Sequence, residues 1–135
     1  MARALGIDYG LKRTGLSVTD PLRICVNPLP TIPTGEIGAF IEDYLKKEKI
    51  DLIVLGDPYH RDGTPTELHS KIRAFAETLK LKYPEIVIDF QNEKFTSIQA
   101  VRVLINKGTP KEKRNKSAID QMSAVLILQD YLKHY

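Results

Sequence analysis

At 135 residues, 42% hydrophobic and 27% charged, the chain has the make-up of one folded globular domain, which excludes disordered and fibrous classes and leaves no room for two substantial cores. No apolar run approaches the roughly 20 residues that span a bilayer, and the opening MARALGIDYG lacks the basic start, long apolar core and cleavage site of a secretory signal, so the expectation is a cytoplasmic protein without a membrane partner. The net charge of +3 and a pI near 8.9 permit a polyanionic partner without demanding one.

In chain order, RALGID at 3–8 and TGLSVT at 14–19 read as strands joined by a turn at Gly10 to Arg13, and a third strand follows at about 24–32. The single cysteine, Cys25, has no disulfide or zinc partner and is expected as a small half-buried side chain. From Gly35 the period changes: Ile37, Phe40, Ile41, Tyr44 and Leu45 recur at helical spacing and predict an amphipathic helix over 36–48. DLIVLG at 51–56 is a continuous apolar run, the pattern of a strand buried on both faces. A loop rich in turn residues closes on Thr64-Pro65-Thr66-Glu67, a capping box ahead of a helix whose core face is Leu68, Ile72, Phe75, Ala76 and Leu79. EIVIDF at 85–90 is the next strand; Thr96 and Gln99 cap a helix to about Asn106, and after a Gly-Pro-basic loop Ser117 opens a last helix. Strands separated by helices need parallel crossovers, whereas the opening hairpin needs antiparallel neighbours. The expected fold is therefore α/β, a single domain over 1–135 with a mixed five-stranded sheet, three leading strands antiparallel and then two parallel, and helices on both faces.

Within this frame GIDYG poses a question, because Asp8 puts a carboxylate into an apolar strand, where it is costly unless compensated. Asp8 falls at the end of the first strand, Glu93 just beyond the strand at 85–90, and Asp120 in the first turn of the last helix. With the first strand central and the last helix packed on it, all three meet at one edge of the sheet. Clustered carboxylates repel one another unless a cation joins them. Mg²⁺ or Mn²⁺, as a pair of ions with substrate bound, suits hard oxygen ligands that leave room for phosphate, and hydrolysis of a nucleic-acid backbone follows from that chemistry. Each residue also has a plainer reading: Asp8 as a turn residue bound to backbone donors, Glu93 as a solvated loop residue, and Asp120 as part of the S-x-x-D cap that begins at Ser117.

These residues sit in motifs that resemble one family along essentially the whole chain. GIDYGLKRTGLSVTD at 6–20, VLGDPYHRDGTPTE at 54–67, NEKFTS at 92–97 and KSAIDQMSAVLILQDYL at 116–132 are similar, in that order, to motifs of the YqgF/RuvX family of Holliday junction resolvases and pre-16S rRNA nucleases. The resemblance implies a ribonuclease H-like fold, which uses the same order of elements, and it implies that Asp8, Glu93 and Asp120 are the catalytic, metal-binding carboxylates. Lys12, Arg13 and Thr96 belong to the site region on the same ground. The implied activity is a metal-dependent endonuclease on structured RNA that trims the 5′ end of pre-16S rRNA, with an assembling ribosomal particle as a partner; the same residues would serve a resolvase that cuts branched DNA. Monomer and homodimer stay open, since symmetric cutting of a four-way junction needs two sites related by a dyad. The chain departs from the family pattern twice. Gly56-Asp57-Pro58 carries an acid where the family has a neutral residue, so Asp57 is either a fourth carboxylate near the metal or a solvent-facing loop residue. Asn92 stands where an acid often precedes the glutamate, which weakens the negative potential and leaves the triad in place.

NKGTPKEKRNK at 106–116 carries Lys107, Lys111, Lys113, Arg114 and Lys116 against Glu112 and runs directly into the helix bearing Asp120. Beside a carboxylate site such cations would hold flanking phosphates with little sequence preference; otherwise they form a solvated loop. Tyr9, Tyr59 and Phe95 either pack or stack on unpaired bases. His60, His69 and His134 match no metal spacing, and no Walker A, GxGxxG or nucleophile elbow is present. Two other classes stay in view: a nucleotide site like that of sugar kinases and actin-like ATPases, which GIDYGLKRTG also resembles but which needs two such domains, and a nucleic-acid-binding module whose acids are structural.

Overall fold

A computed structural model of the protein describes residues 2–58, 67–93 and 116–133, together with 105 and 108. The alternating RALGID and RTGLSVT form β1 (Arg3–Asp8) and β2 (Arg13–Thr19), paired antiparallel with Ile7 opposite Leu16 and Asp8 opposite Gly15. β3 (Val26–Pro33) pairs antiparallel with β2 at the edge of the sheet, where Pro28, Pro30 and Pro33 are tolerated because an edge strand leaves half its ladder unused. A short 3-10 turn at Thr34–Glu36 leads into α1 (Ile37–Lys47), and β4 (Ile50–Pro58) then returns parallel to β1. α2 (Leu68–Lys82), β5 (Val87–Glu93) and α3 (Lys116–Leu132) follow, and the sheet order is β3-β2-β1-β4-β5. This is the expected mixed sheet of three antiparallel strands continued by two parallel ones.

Two strands run further than their apolar residues indicate. The parallel ladder continues through Gly56 opposite Gln91, Asp57 opposite Asn92 and Pro58 opposite Glu93. Asp57 and Glu93 are thus strand residues, which removes the loop alternative weighed for each, because backbone pairing does not require apolar side chains. α2 begins at Leu68, and Glu67 makes no side-chain cap. Thr64 of the expected capping box, the bulk of the helix expected over 96–106 and all but Gly108 and the backbone of Lys116 in the basic segment lie outside the described residues.

Strand alternation sorts the core into two layers. Leu5, Ile7, Leu16, Val18, Ile53 and Leu55 meet Ile37 and Ile41 of α1 and Ile72, Ala76 and Leu79 of α2, the helical faces that the spacing predicts. On the other face Ala4, Leu52 and Val54 pack against Ile127 and Leu128 of α3. Fully burying each such branched side chain contributes about 1.5–3 kcal/mol. Small and polar residues complete this second layer: Ser17 donates its hydroxyl to the Ala124 carbonyl at 2.7 Å, Gln121 its amide to the Leu29 carbonyl at 3.0 Å, and Tyr131 its hydroxyl to Asp89 at 2.5 Å. The Asp89 hydrogen bond pushes the Tyr131 phenol above its ordinary pKa.

The β2–β3 turn is organised by Asp20, whose carboxylate accepts from the backbone N–H groups of Leu22, Ile24 and Cys25. Those donors, Cys25 first, hold Asp20 below its ordinary pKa. Arg23 takes a left-handed φ of 57° in this turn and pairs with Asp51. Cys25 is exposed here and not half-buried as expected, since the ring of hydrogen bonds turns it away from the sheet.

The glycines on the α3 side are not interchangeable with those elsewhere. A Cβ on Gly15 would lie 2.2 Å from the Asp120 carbonyl oxygen, whereas one on Gly38 of α1 would meet nothing within 4 Å. Gly15→Ala is expected to destabilise by about 1–3 kcal/mol through overpacking, and Gly38→Ala to stabilise by about 0.5–1 kcal/mol through helix propensity; urea denaturation of both variants checks the opposite signs. For Asp20 the folded pKa lies below the unfolded one, so its stabilisation is present above the unfolded pKa and is lost as pH falls through the folded value. Asp20→Asn should therefore be less stable than wild type near neutrality, with the difference closing below pH about 4 as the wild-type carboxylate protonates, in denaturation curves taken across that range.

Candidate active site

The site is built where β1 ends and β2 begins. Gly10 makes the connecting turn, since a Cβ there would lie 2.3 Å from the Arg13 carbonyl. Thr34 fixes the turn from outside: its hydroxyl donates to the Gly10 carbonyl at 2.7 Å, its N–H to the Lys12 carbonyl at 3.0 Å, and its Oγ1 shares a hydrogen bond with Thr14. Lys12 is thereby held exposed at the rim while Arg13 enters β2 on the α3 side. Tyr9 packs on Phe75 of α2, with ring centroids 5.2 Å apart, so packing is its role in the fold.

α3 comes down onto this turn because glycines stand beneath it at positions 6 and 15. Its backbone at Asp120 covers Gly15, and Ala124 and Leu128 approach the position of Gly6, where a Cβ would lie 3.1 Å from each. Asp8 is the cross-strand partner of Gly15 and has the parity of Ala4, so it stands on the α3 face beside the point that the Asp120 backbone covers. The helix begins at Lys116, so Asp120 lies just past its first turn and not within it as the sequence indicated. Asp120 receives the Arg13 Nε–H at 3.2 Å, an ion pair whose side chains are 40% and 24% exposed. Gly10, Leu11, Lys12, Arg13 and Asp120 line a cleft of about 400 Å³.

The remaining expected residues are placed as follows. Glu93 ends β5 with the parity of Asp89, whose carboxylate meets α3, and β5 runs past the level of Asp8, since Ile7 pairs with Leu55 and Leu55 with Phe90. The Glu93 side chain is outside the described residues, as are Thr96, Lys111, Lys113, Arg114 and the side chain of Lys116. Among the described residues no three His, Cys, Asp or Glu side chains form a group able to hold a metal ion. What is described is a pair of hard-oxygen donors, Asp8 and Asp120, on one face, with a guanidinium standing as the cation on one of them. That donor chemistry fits Mg²⁺ or Mn²⁺, which prefer few carboxylates and keep water or phosphate in the other positions.

Asp57 lies on the other face of the sheet. It is buried with its side chain 3% exposed, and it is bound by Arg73 at 2.5 Å and by His69 Nδ1 at 2.8 Å, one helical turn apart on α2. Arg73 also stands 3.7 Å above the Phe90 ring. Asp57 is therefore neither beside Asp8 nor facing solvent: the sheet separates it from the α3 side, and the Arg73 guanidinium and the His69 ring compensate it.

The sheet order with a helix crossing β1 and β2 defines a ribonuclease H-like fold. Thermus thermophilus RuvC, solved in complex with a Holliday junction substrate, is similar in structure at a TM-score of 0.58 and 16% identity, covering 99% of this chain and 96% of that one. More narrowly, the chain belongs to the RuvX family, described as Holliday junction resolvase, whose model matches residues 2–134. Relatives bearing the name "Putative pre-16S rRNA nuclease" include one from Christiangramia forsetii, 41% identical over 133 residues and 98% of each chain, and one from Porphyromonas gingivalis, 44% identical over 133 residues, 98% of this chain and 96% of that one.

Arg73→Met leaves the buried Asp57 with one partner fewer and is expected to cost about 3 kcal/mol. Adding Asp57→Asn in that background should recover part of the loss, because the uncompensated charge is gone. A double-mutant cycle in denaturant measures the coupling, and strictly additive losses would contradict it.

Proposed function

We propose that this protein is a divalent-metal-dependent endonuclease that hydrolyses phosphodiester bonds of structured nucleic acid, with the 5′ end of pre-16S rRNA as its substrate in ribosome biogenesis. The observation that carries this reading is that Asp8 and the Asp120 backbone both flank Gly15 on one face of the sheet, beside a cleft edged by Lys12 and Arg13. Asp8, Glu93 and Asp120 would hold one or two Mg²⁺ or Mn²⁺ ions. Bound there, such ions supply Lewis-acid stabilisation of the charge that develops on the phosphate during hydrolysis.

The chain's own part is binding and positioning. Lys12 and Arg13 present cations to backbone phosphates at the mouth of the cleft, which gives affinity that falls with salt and reads little sequence. Thr96, Lys111, Lys113, Arg114 and Lys116 extend that contact along the flanking strand in this reading. The Asp120 carboxylate, carried by α3 and paired with the Arg13 guanidinium, is the oxygen donor that the helix brings to this site. The names of the relatives favour RNA as the substrate, and a ribosomal particle in the cytoplasm is the setting that this reading gives it. The family description and the fold shared with RuvC favour a second substrate, branched DNA cut by a resolvase.

Two labelled substrates, a ribosomal-RNA precursor end and a mobile four-way DNA junction, offered with Mg²⁺, Mn²⁺ or Ca²⁺ to wild type and Asp8→Asn, test both. Metal-dependent cutting of the RNA end, reduced about 10²-fold or more by Asp8→Asn, is the expected result. Cutting of the junction alone selects resolution, and cutting undiminished in Asp8→Asn overturns the assigned site.

A further inference from the structure

Arg13 stands between two partners that compete for its single positive charge. Its Nε–H is spent on Asp120 Oδ2, yet the same side chain lines the cleft with Lys12, where a phosphate would lie. With Asp8 and Asp120 on one face, the guanidinium offsets carboxylate repulsion in the protein without metal. A divalent cation brought to the same carboxylates meets that guanidinium as a like charge at close range, and the oxygen that accepts from Nε is withheld from coordination. The pair is half in solvent, so it is weak enough to be exchanged.

We propose that Arg13 is an exchangeable counter-ion: it neutralises Asp120 in the metal-free protein, gives the carboxylate up to the divalent cation, and turns its freed guanidinium to a phosphate of the nucleic acid in the cleft. The inference rests on the metal-binding reading of Asp8 and Asp120 and adds an order to it. Metal and nucleic acid then help each other bind, since each relieves Arg13 of the partner that the other requires, and linkage makes the effect reciprocal. Arg13 acts here as a positioning residue for the cation and as a direct contact for the phosphate.

Two readouts on the full chain test this without relying on cleavage. Free Mn²⁺ measured by electron paramagnetic resonance gives the affinity of wild type, Arg13→Gln and Asp8→Asn. Arg13→Gln should bind Mn²⁺ about 3- to 10-fold more tightly, because the competing cation is gone. In wild type, the Arg13 Nε–H resonance, assigned by its loss in Arg13→Gln or Arg13→Lys, should move to the position of a solvated guanidinium as Mg²⁺ saturates, and should already lie there in Asp120→Asn. Mn²⁺ binding that depends on Asp8 but is unchanged or weakened in Arg13→Gln, or an Nε–H signal indifferent to Mg²⁺, overturns the exchange and leaves the metal site standing. No Mn²⁺ bound by any variant, or binding indifferent to Asp8→Asn, overturns the metal site and the exchange with it. The resonance readout holds even where Arg13→Gln does not fold.

Discussion

The carbonyl oxygen of Asp120 lies where a side chain on residue 15 would have to be, and the position of α3 depends on that vacancy. Further along the helix, Ala124 and Leu128 come down in the same way on Gly6, and the Ser17 hydroxyl takes the Ala124 carbonyl. Three small residues of like parity on β1 and β2 thus form a floor on which a helix can lie close to the sheet. Ile127 and Leu128 anchor its later half by burial against Leu52 and Val54. At Asp120 the hold is different: close backbone approach to Gly15 and the Arg13 pair seat the helix at the end of β1. Larger residues at 6 and 15 would lift the helix and take Asp120 away from Asp8.

Two faces of the sheet treat buried or half-buried acid differently. Behind it, Asp57 is enclosed and balanced by Arg73 and His69, so its charge is settled within the protein and ties β4 to α2. Leaving such a charge unpaired is far costlier than exposing it, which explains why a guanidinium and an imidazole converge on one carboxylate. In front, Asp120 borders an open cleft, and Arg13 is a half-exposed partner that solvent can replace. The first arrangement is suited to holding a fold and the second to exchanging ligands.

Much of this was legible in the sequence, for reasons specific to each element. Ile37, Phe40, Ile41, Tyr44 and Leu45 recur at 3.6-residue spacing and all pack in the α1–α2 layer, so the helix and its buried face were both readable. The continuous apolar run in β4 correctly indicated a strand covered on both sides. Strand ends were less readable, because Asp57, Asn92 and Glu93 are polar residues paired through backbone alone. Neither alternative weighed for Asp57 anticipated Arg73 and His69, although an acid at the end of β4 with a histidine and an arginine four apart on the next helix is a signal for such a pairing. The parity of Gly6, Gly15 and Ser17 was likewise visible in GIDYG and RTGLS, yet its meaning needs the partner helix, which is about a hundred residues away in sequence.

The central claim is that Asp8 and Asp120 share one cation site because α3 is seated on Gly15. Paramagnetic broadening of backbone amide signals by substoichiometric Mn²⁺ locates such a site directly. The account predicts that broadening centres on residues 8–10, 13–15 and 120, and reaches the end of β5, before it touches Asp57 or the acids of α1. Broadening centred on the α1 surface, or at Asp8 with Asp120 unaffected, would contradict it.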